Sequence, residues 1–234
     1  MSERRKRRKA KRKNEITSVA EKIIAKKGIQ GMTMKKVAEE VDLATSTLYL
    51  YFKNKNSLCA AVNARISKQL RIMMKESSAN CSNACEKIKA TTTVMIEFRR
   101  ENPDKWSAFK ELLLVKYDTG NINSTSSNNG LNQDIYDFNN VSDENIRDLL
   151  IEDKKMSQLM RDIYKQGIQE GCIRSEVDLL PTILFMRMVI FTALEPLPYA
   201  QRMLETEGIS PEYFLDVVMD LMRRAVRPSP SEKS

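Results

Sequence analysis

Apolar residues recur along this chain at helical spacing. Ile16, Val19, Ala20, Ile23 and Ile24 share one face, and Gly28 follows Lys26 and Lys27 as a stop, which predicts a first helix of about three turns. After Gly31, Thr33 can cap a short second helix whose Met34, Val37, Ala38 and Val41 repeat at i, i+3, i+4 and i+7. The tight connection Val41-Asp42-Leu43-Ala44 leads to a third helix, anchored by Leu48 and Phe52. Asn54 then offers a cap for a longer fourth helix that begins near Lys55 and carries Leu58, Val62 and Ile66.

The remainder is also helical. Ala84, Ile88, Thr91, Met95 and Phe98 form a stripe ending near Asn102. Asn102-Pro103-Asp104 supplies a cap, a first-turn proline and a dipole-favourable acid for the helix holding Trp106, Phe109, Leu112 and Leu113. Residues 118–140 hold seven Asn, three Ser and two Gly and read as a long loop, a lid or, the favoured reading, a disordered link. Ser142 restarts a helix through Ile146, Leu149, Leu150, Met156, Leu159, Met160 and Ile163, closed by Gly171. From Leu179 to Leu194 apolar residues occupy nearly every side, with Pro196 and Pro198 as the stop; Ser210 and Pro211 open a last helix through Phe214, Val218, Leu221 and Ala225. The fold class is all-α: a tri-helical helix-turn-helix domain followed by a larger helical domain.

Charge changes this picture at one place. The net charge of +8 arises within residues 1–13, which hold nine Lys or Arg against Glu3, while the other thirty basic and thirty acidic residues cancel. So dense a block repels itself and is expected to be a disordered arm. It serves either as a solubility tail or as a tracker of phosphates, with Arg12 and Lys13 nearest the helix-turn-helix. No run approaches the roughly 18 to 20 apolar residues of a membrane span, and the charged N-terminus does not resemble a secretory leader, so a cytoplasmic protein with no membrane partner is expected. Four cysteines and no histidine argue against the common zinc sets. Cys81 and Cys85, one turn apart, read as packing rather than redox chemistry. With no nucleophile–base pair, phosphate-binding glycine loop or metal spacing, neither an enzyme nor a bound cofactor is expected.

With Leu48 and Phe52 buried, the other side of the third helix presents Thr45, Ser46, Thr47, Tyr49, Leu50 and Tyr51. Hydroxyls suit phosphate oxygens and base edges, and Leu50 could meet a thymine methyl; the same face would also serve as a plain solvated one.

The stretch MTMKKVAEEVDLATSTLYLYFKNKNSL, residues 32–58, resembles the N-terminal signature of the tetracycline-repressor (TetR/AcrR-type) family. Thr33, Val37-Ala38, Thr47-Leu48-Tyr49, Tyr51-Phe52, Lys55 and Leu58 carry the likeness, which extends back to about Asn14. The resemblance implies a recognition helix from about Thr45 to Phe52, phosphate or base contacts at Thr47 and Tyr49, and a phosphate contact at Lys55, where free helix amides also favour an anion. It further implies a C-terminal region that binds a small molecule and dimerises. Two departures from the family stand in the turn: Asp42 where a glycine is usual, and Ala44 where a serine often caps the recognition helix.

These readings set a domain plan of 1–13 as arm, 14–58 as DNA-binding domain, 59–227 as effector and dimerisation domain, and 228–234 as disordered tail. The DNA-contacting set is Thr33, Thr45, Ser46, Thr47, Tyr49, Leu50, Tyr51, Lys55, Arg12 and Lys13. Met95, Phe98, Trp106, Phe109 and Met160 are candidate walls for an apolar or cationic aromatic effector, although a plain core role is the favoured alternative for each. The all-apolar helix and the last helix would meet a symmetric partner through Leu184, Met188, Phe191, Phe214, Val218 and Leu221, the alternative being a larger monomer core. The expected function is a ligand-responsive regulator, most simply a repressor, that grips a palindromic double-stranded DNA operator as a homodimer. A non-specific architectural DNA binder using the basic arm is the competing class.

Overall fold

The computed structural model describes residues 3–118 and 141–228. Among them are ten α-helices and no strand. They are α1 Glu3–Gly31, α2 Met34–Glu40, α3 Thr45–Leu48, α4 Lys55–Ala79 and α5 Ala84–Glu101, then α6 Pro103–Leu113, α7 Glu144–Gln169, α8 Leu179–Leu194, α9 Pro198–Thr206 and α10 Pro211–Val226. Among the described residues no single helix is long and apolar enough to cross a membrane. The expected 118–140 loop falls outside the described residues but for Asp118, and the expected 228–234 tail but for Pro228.

Contacts divide the chain into two units, Met1–Ile72 with Glu97–Met156, and Met73–Ile96 with Ser157–Ser234. The first unit therefore gathers more around the helix-turn-helix than a 14–58 segment. Its core holds Ile16, Ala20, Ile24, Met32, Val37, Leu48, Phe52, Leu58, Val62 and Ile66, all essentially sealed from solvent. α6 packs on α1, burying Trp106, Ala108, Phe109 and Leu112. Glu111 accepts from the Ile29 amide at 3.3 Å, and Ser107 donates to the Ala25 carbonyl. A smaller cluster joins Ala60 and Ala64 of α4 to Val141, Ile146 and Leu149.

The arm requires a correction. It is not disordered in this structure: α1 runs from Glu3 through the whole basic block. Lys, Arg and Ala are strong helix formers, and extending a helix already nucleated by residues 14–27 is far cheaper than starting one. Pairs at i, i+3 between Lys6 and Glu3 and between Arg12 and Glu15 add a little. Gly28, with φ of 65°, breaks the helical path where the sequence places a stop, in a region that favours glycine.

In the second unit α8 packs against α10. Tyr164, Ile173, Leu179, Ile183 and Met186 form its core, with Met160, Ile168, Met222 and Val226 against them. α8 ends at Leu194 ahead of Pro196, as expected, and Pro198 also occupies the first turn of α9, a helix the pattern did not predict, where its missing amide is harmless. Two local expectations differ from what is observed. Asn102 precedes Pro103 but makes no side-chain cap. Asp143 rather than Ser142 takes the free amides at the start of α7, accepting from Asn145 N at 2.9 Å and Ile146 N at 3.3 Å.

Candidate nucleic-acid interface

Thr33 caps α2, its Oγ1 accepting from the Lys36 amide at 3.2 Å. The Leu43 amide returns to the Ala38 carbonyl at 2.9 Å, and Asp42 turns the chain with φ of 52°, a conformation Asp tolerates better than most residues that carry a Cβ. Ala44 stands at the cap of α3 with no side-chain bond to offer. α3 is accordingly short, ending at Leu48, and the chain continues in turns to Phe52, whose amide bonds the Leu48 carbonyl at 3.1 Å. Leu48 and Phe52 are buried. That burial fixes what the outer side presents: Leu50 is 76% exposed and Tyr49 50%, Ser46 is exposed, and Thr45, Thr47 and Tyr51 are half-buried.

α4 starts on a true cap, the Ser57 amide donating to Asn54 Oδ1 at 2.8 Å. Lys55, half-buried, does not point free into solvent; its ammonium donates to the Ile29 carbonyl at 2.6 Å. Lys13 is also engaged, pairing with Glu144 at 2.7 Å and lying 5.9 Å from the centroid of the Phe52 ring. Arg12 pairs with Glu15 at 2.8 Å. Of the ten residues expected at a DNA face, Ser46, Tyr49 and Leu50 thus stand outward on the recognition segment, Thr33 caps a helix, and Arg12, Lys13 and Lys55 hold protein partners.

The start of α7 joins this site without any signal in the sequence pattern. Lys53 donates to the Ser142 carbonyl at 2.9 Å, and Ser57 Oγ donates to Asp143 Oδ1 at 3.1 Å while accepting from Asn145 Nδ2 at 2.9 Å. With Lys13–Glu144 these bonds tie the first turn of α7 to α1 and to the start of α4. The Lys13 hydrogen bond, and then its charge, hold the Glu144 carboxyl below its ordinary range. Deeper in the unit, Arg65 of α4 donates to Ser18 and Glu21 of α1, and Arg71 to Glu152 of α7 at 2.9 Å. None of these long-range pairings leaves a periodic trace in sequence.

The candidate effector walls fall in different units. Phe98, Trp106 and Phe109 are buried in the first, where the Trp106 and Phe109 rings lie 6.2 Å apart. Met95 and Met160 belong to the second and are half-buried. The second unit also carries an open cavity of about 670 Å³ lined by Ile88, Tyr164, Ile173, Met186, Met219 and Met222 among others, and by none of those five. On α8 and α10, Met188 is 68% exposed and Leu221 60%. Leu184 is exposed with them, and Phe191, Phe214 and Val218 are half-buried.

The sequence profile described as "Bacterial regulatory proteins, tetR family" matches residues 16–62, the segment from α1 into α4. An HTH-type transcriptional regulator of Staphylococcus aureus is 24% identical over 123 residues, which are 53% of this chain and 62% of that protein. An uncharacterized HTH-type transcriptional regulator of Haemophilus influenzae is 27% identical over 97 residues, 42% of this chain and 52% of its own length. The matches thus span less than two thirds of these relatives. Among solved structures, the fold is similar to FadR from Bacillus subtilis in complex with stearoyl-CoA, with a TM-score of 0.62 and 17% identity, covering 91% of this chain and 98% of that one. It is also similar to a ketosteroid transcriptional regulator of Mycobacterium tuberculosis, with a TM-score of 0.58 and 13% identity, covering 93% and 96%.

Proposed function

We propose that this chain, which belongs to the tetR family of bacterial regulatory proteins, is a transcriptional repressor that grips a palindromic operator as a homodimer and is released by a small molecule. One observation carries the reading. Burial of Leu48 and Phe52 leaves Ser46, Tyr49 and Leu50 projecting together from a helix-turn-helix whose packing is complete without them. A hydroxyl, a phenol and an apolar tip are the groups that read phosphates, base edges and thymine methyls in a major groove. Thr45, Thr47 and Tyr51 flank them, and the basic first turns of α1 supply sequence-independent attraction.

Dimerisation is supported by the outward apolar side of α8 and α10. Leu184, Met188 and Leu221 lie in water in the isolated chain, flanked by the half-buried Phe191, Phe214 and Val218. A contiguous apolar surface of this kind marks an interface, and a two-fold partner presenting the same helices would cover it. The effector is proposed to be apolar or cationic aromatic. The Bacillus subtilis relative in fold, solved with stearoyl-CoA, is a precedent for a ligand with a long apolar chain. Release of DNA requires the ligand to favour a spacing of the two heads that does not fit the operator, with about 1.4 kcal/mol of differential affinity for each tenfold of relief. α4 contributes residues to both units and is the proposed transmitter.

The test is a footprint on the DNA upstream of the chain's own coding sequence. Protection of one short palindrome, with half-sites about one helical turn or a multiple apart, is the expected result. Uniform affinity for any duplex would overturn it in favour of an architectural binder that uses the basic helix.

A further inference from the structure

Sequence spacing singles out Cys81 and Cys85 as neighbours with no redox role. The fold pairs a different two. Cys85 lies in the first turn of α5 and Cys172 just after the end of α7, and both line one cavity. The backbones that carry them are in close contact: the Ala84 amide donates to Glu170 Oε2 at 2.7 Å, and a Cβ placed on Gly167 would lie 3.4 Å from the Ala84 Cβ. The Cys172 amide in turn bonds the Gly167 carbonyl at 2.9 Å, so Cys172 is held by the same turn of α7 that touches the start of α5. Both thiols open onto the 670 Å³ cavity of the second unit, which gives a small solute access to them. Among the described residues no third metal-ligating side chain joins them, so the pair forms a two-sulfur site.

We propose that Cys85 and Cys172 form a reversible disulfide, a thiol-oxidation site that takes a hydroperoxide as its oxidant. The exposed Cys85 is the sulfur that reacts. Its thiolate attacks the peroxide O–O bond, giving a sulfenic acid and releasing hydroxide. The Cys172 sulfur then displaces the sulfenic oxygen, which leaves as water, and the S–S bond forms. In sum two thiols and one hydrogen peroxide give one disulfide and two waters; a thiol reductant restores the pair by exchange. The division of labour follows from the surroundings. Burial first, and then the neighbouring Cys85, push the Cys172 thiol up to about 12, so Cys172 keeps its proton until a sulfenic acid stands beside it. Cys59 is buried in the first unit and pushed up to about 11 by that burial, which keeps it out of this chemistry. The bond would fasten the start of α5 to the end of α7 along one wall of the cavity, so oxidation would change what that cavity admits.

The experiment uses the full chain and one equivalent of hydrogen peroxide, with free thiols then alkylated and the protein mapped by mass spectrometry. The expected product is a peptide pair linked through Cys85 and Cys172, lost on treatment with dithiothreitol. Cys172→Ser should abolish the link and leave a Cys85 sulfenic acid that dimedone traps. Cys85→Ser should slow oxidation of Cys172 by about tenfold or more, since a protonated, partly buried thiol reacts poorly. Far-UV circular dichroism of both variants checks that the helices persist; if either loses them, the link in the unaltered chain decides. A principal link from Cys81 to Cys85, or unlinked oxidation of Cys85 in the unaltered chain, would overturn the proposal. Neither result bears on DNA binding, which the footprint tests separately.

Discussion

The ammonium of Lys55 donates to the carbonyl of Ile29 at 2.6 Å, so the first residue of α4 is fastened to the last turn of α1. The neighbouring Ile29 amide is taken by Glu111 of α6. The residue just beyond the Gly28 break is therefore held from two helices, its carbonyl also accepting from the Met32 amide at 3.2 Å. Lys55 has a structural duty whether or not DNA is present. Lys55→Met should lower unfolding free energy by about 1.5 to 3 kcal/mol, the range for a hydrogen bond from a charged group, as well as weakening operator binding. Urea denaturation beside gel shift separates the two losses. Unchanged stability would return Lys55 to the role of a simple phosphate contact.

Tyr49 and Phe52 should separate cleanly, since one side chain faces solvent and the other the core. Tyr49→Ala is expected to reduce operator affinity with little change in melting temperature. Phe52→Ala is expected to lose roughly 3 to 5 kcal/mol of stability, as for other buried aromatic truncations. A Tyr49→Ala protein that binds DNA normally would remove that face from the interface.

Assembly is checked by light scattering at micromolar concentration, where the proposed dimer has twice the 26.9 kDa of one chain. Met188→Glu places a charge where the dimer would exclude water, while in the monomer that side chain is already solvated. It should shift the species to monomer and keep the helical circular dichroism of the parent. A monomer before any mutation would refute the dimer outright.

The basic helix is tested by removing residues 1–11, which leaves the Lys13 pair with Glu144 in place. Affinity for operator and random DNA should fall together. The salt dependence should flatten by about 0.9 in log-log slope for each phosphate that the shortened protein no longer neutralises. An unchanged slope would make the segment a solubility device.

The Lys13–Glu144 pair predicts a pH dependence. The Glu144 carboxyl is held below its ordinary value of 4.5, chiefly by the Lys13 hydrogen bond. Its contribution is therefore complete above that value and is lost as pH falls through the lowered folded one. The gap in melting temperature between the parent and Glu144→Gln should be present at neutral pH and close in acid; because the Glu144 side chain is largely exposed, the gap should be small and salt-sensitive. A gap that widens in acid would contradict the assignment.

Several elements were legible in sequence because their causes are local. The apolar spacing of Ile16, Ala20 and Ile24, the Thr33, Asn54 and Ser210 caps and the turn at Asp42 depend on neighbours within a few residues, and each stands where the pattern put it. The all-α class and the helix-turn-helix follow from these. Other features depended on partners far along the chain. The recruitment of Lys13, Lys53 and Ser57 by the start of α7, the fastening of Lys55 to Ile29, and the meeting of Cys85 with Cys172 join residues between 26 and 131 positions apart. Periodicity reports which face of a helix is apolar, not which side chain another helix brings to it. A lysine reads as a free cation in sequence until packing delivers a carbonyl or carboxylate within reach. The sequence by itself thus determined most of the helices and the helix-turn-helix, and the tertiary structure decided which of its charges and thiols remain available.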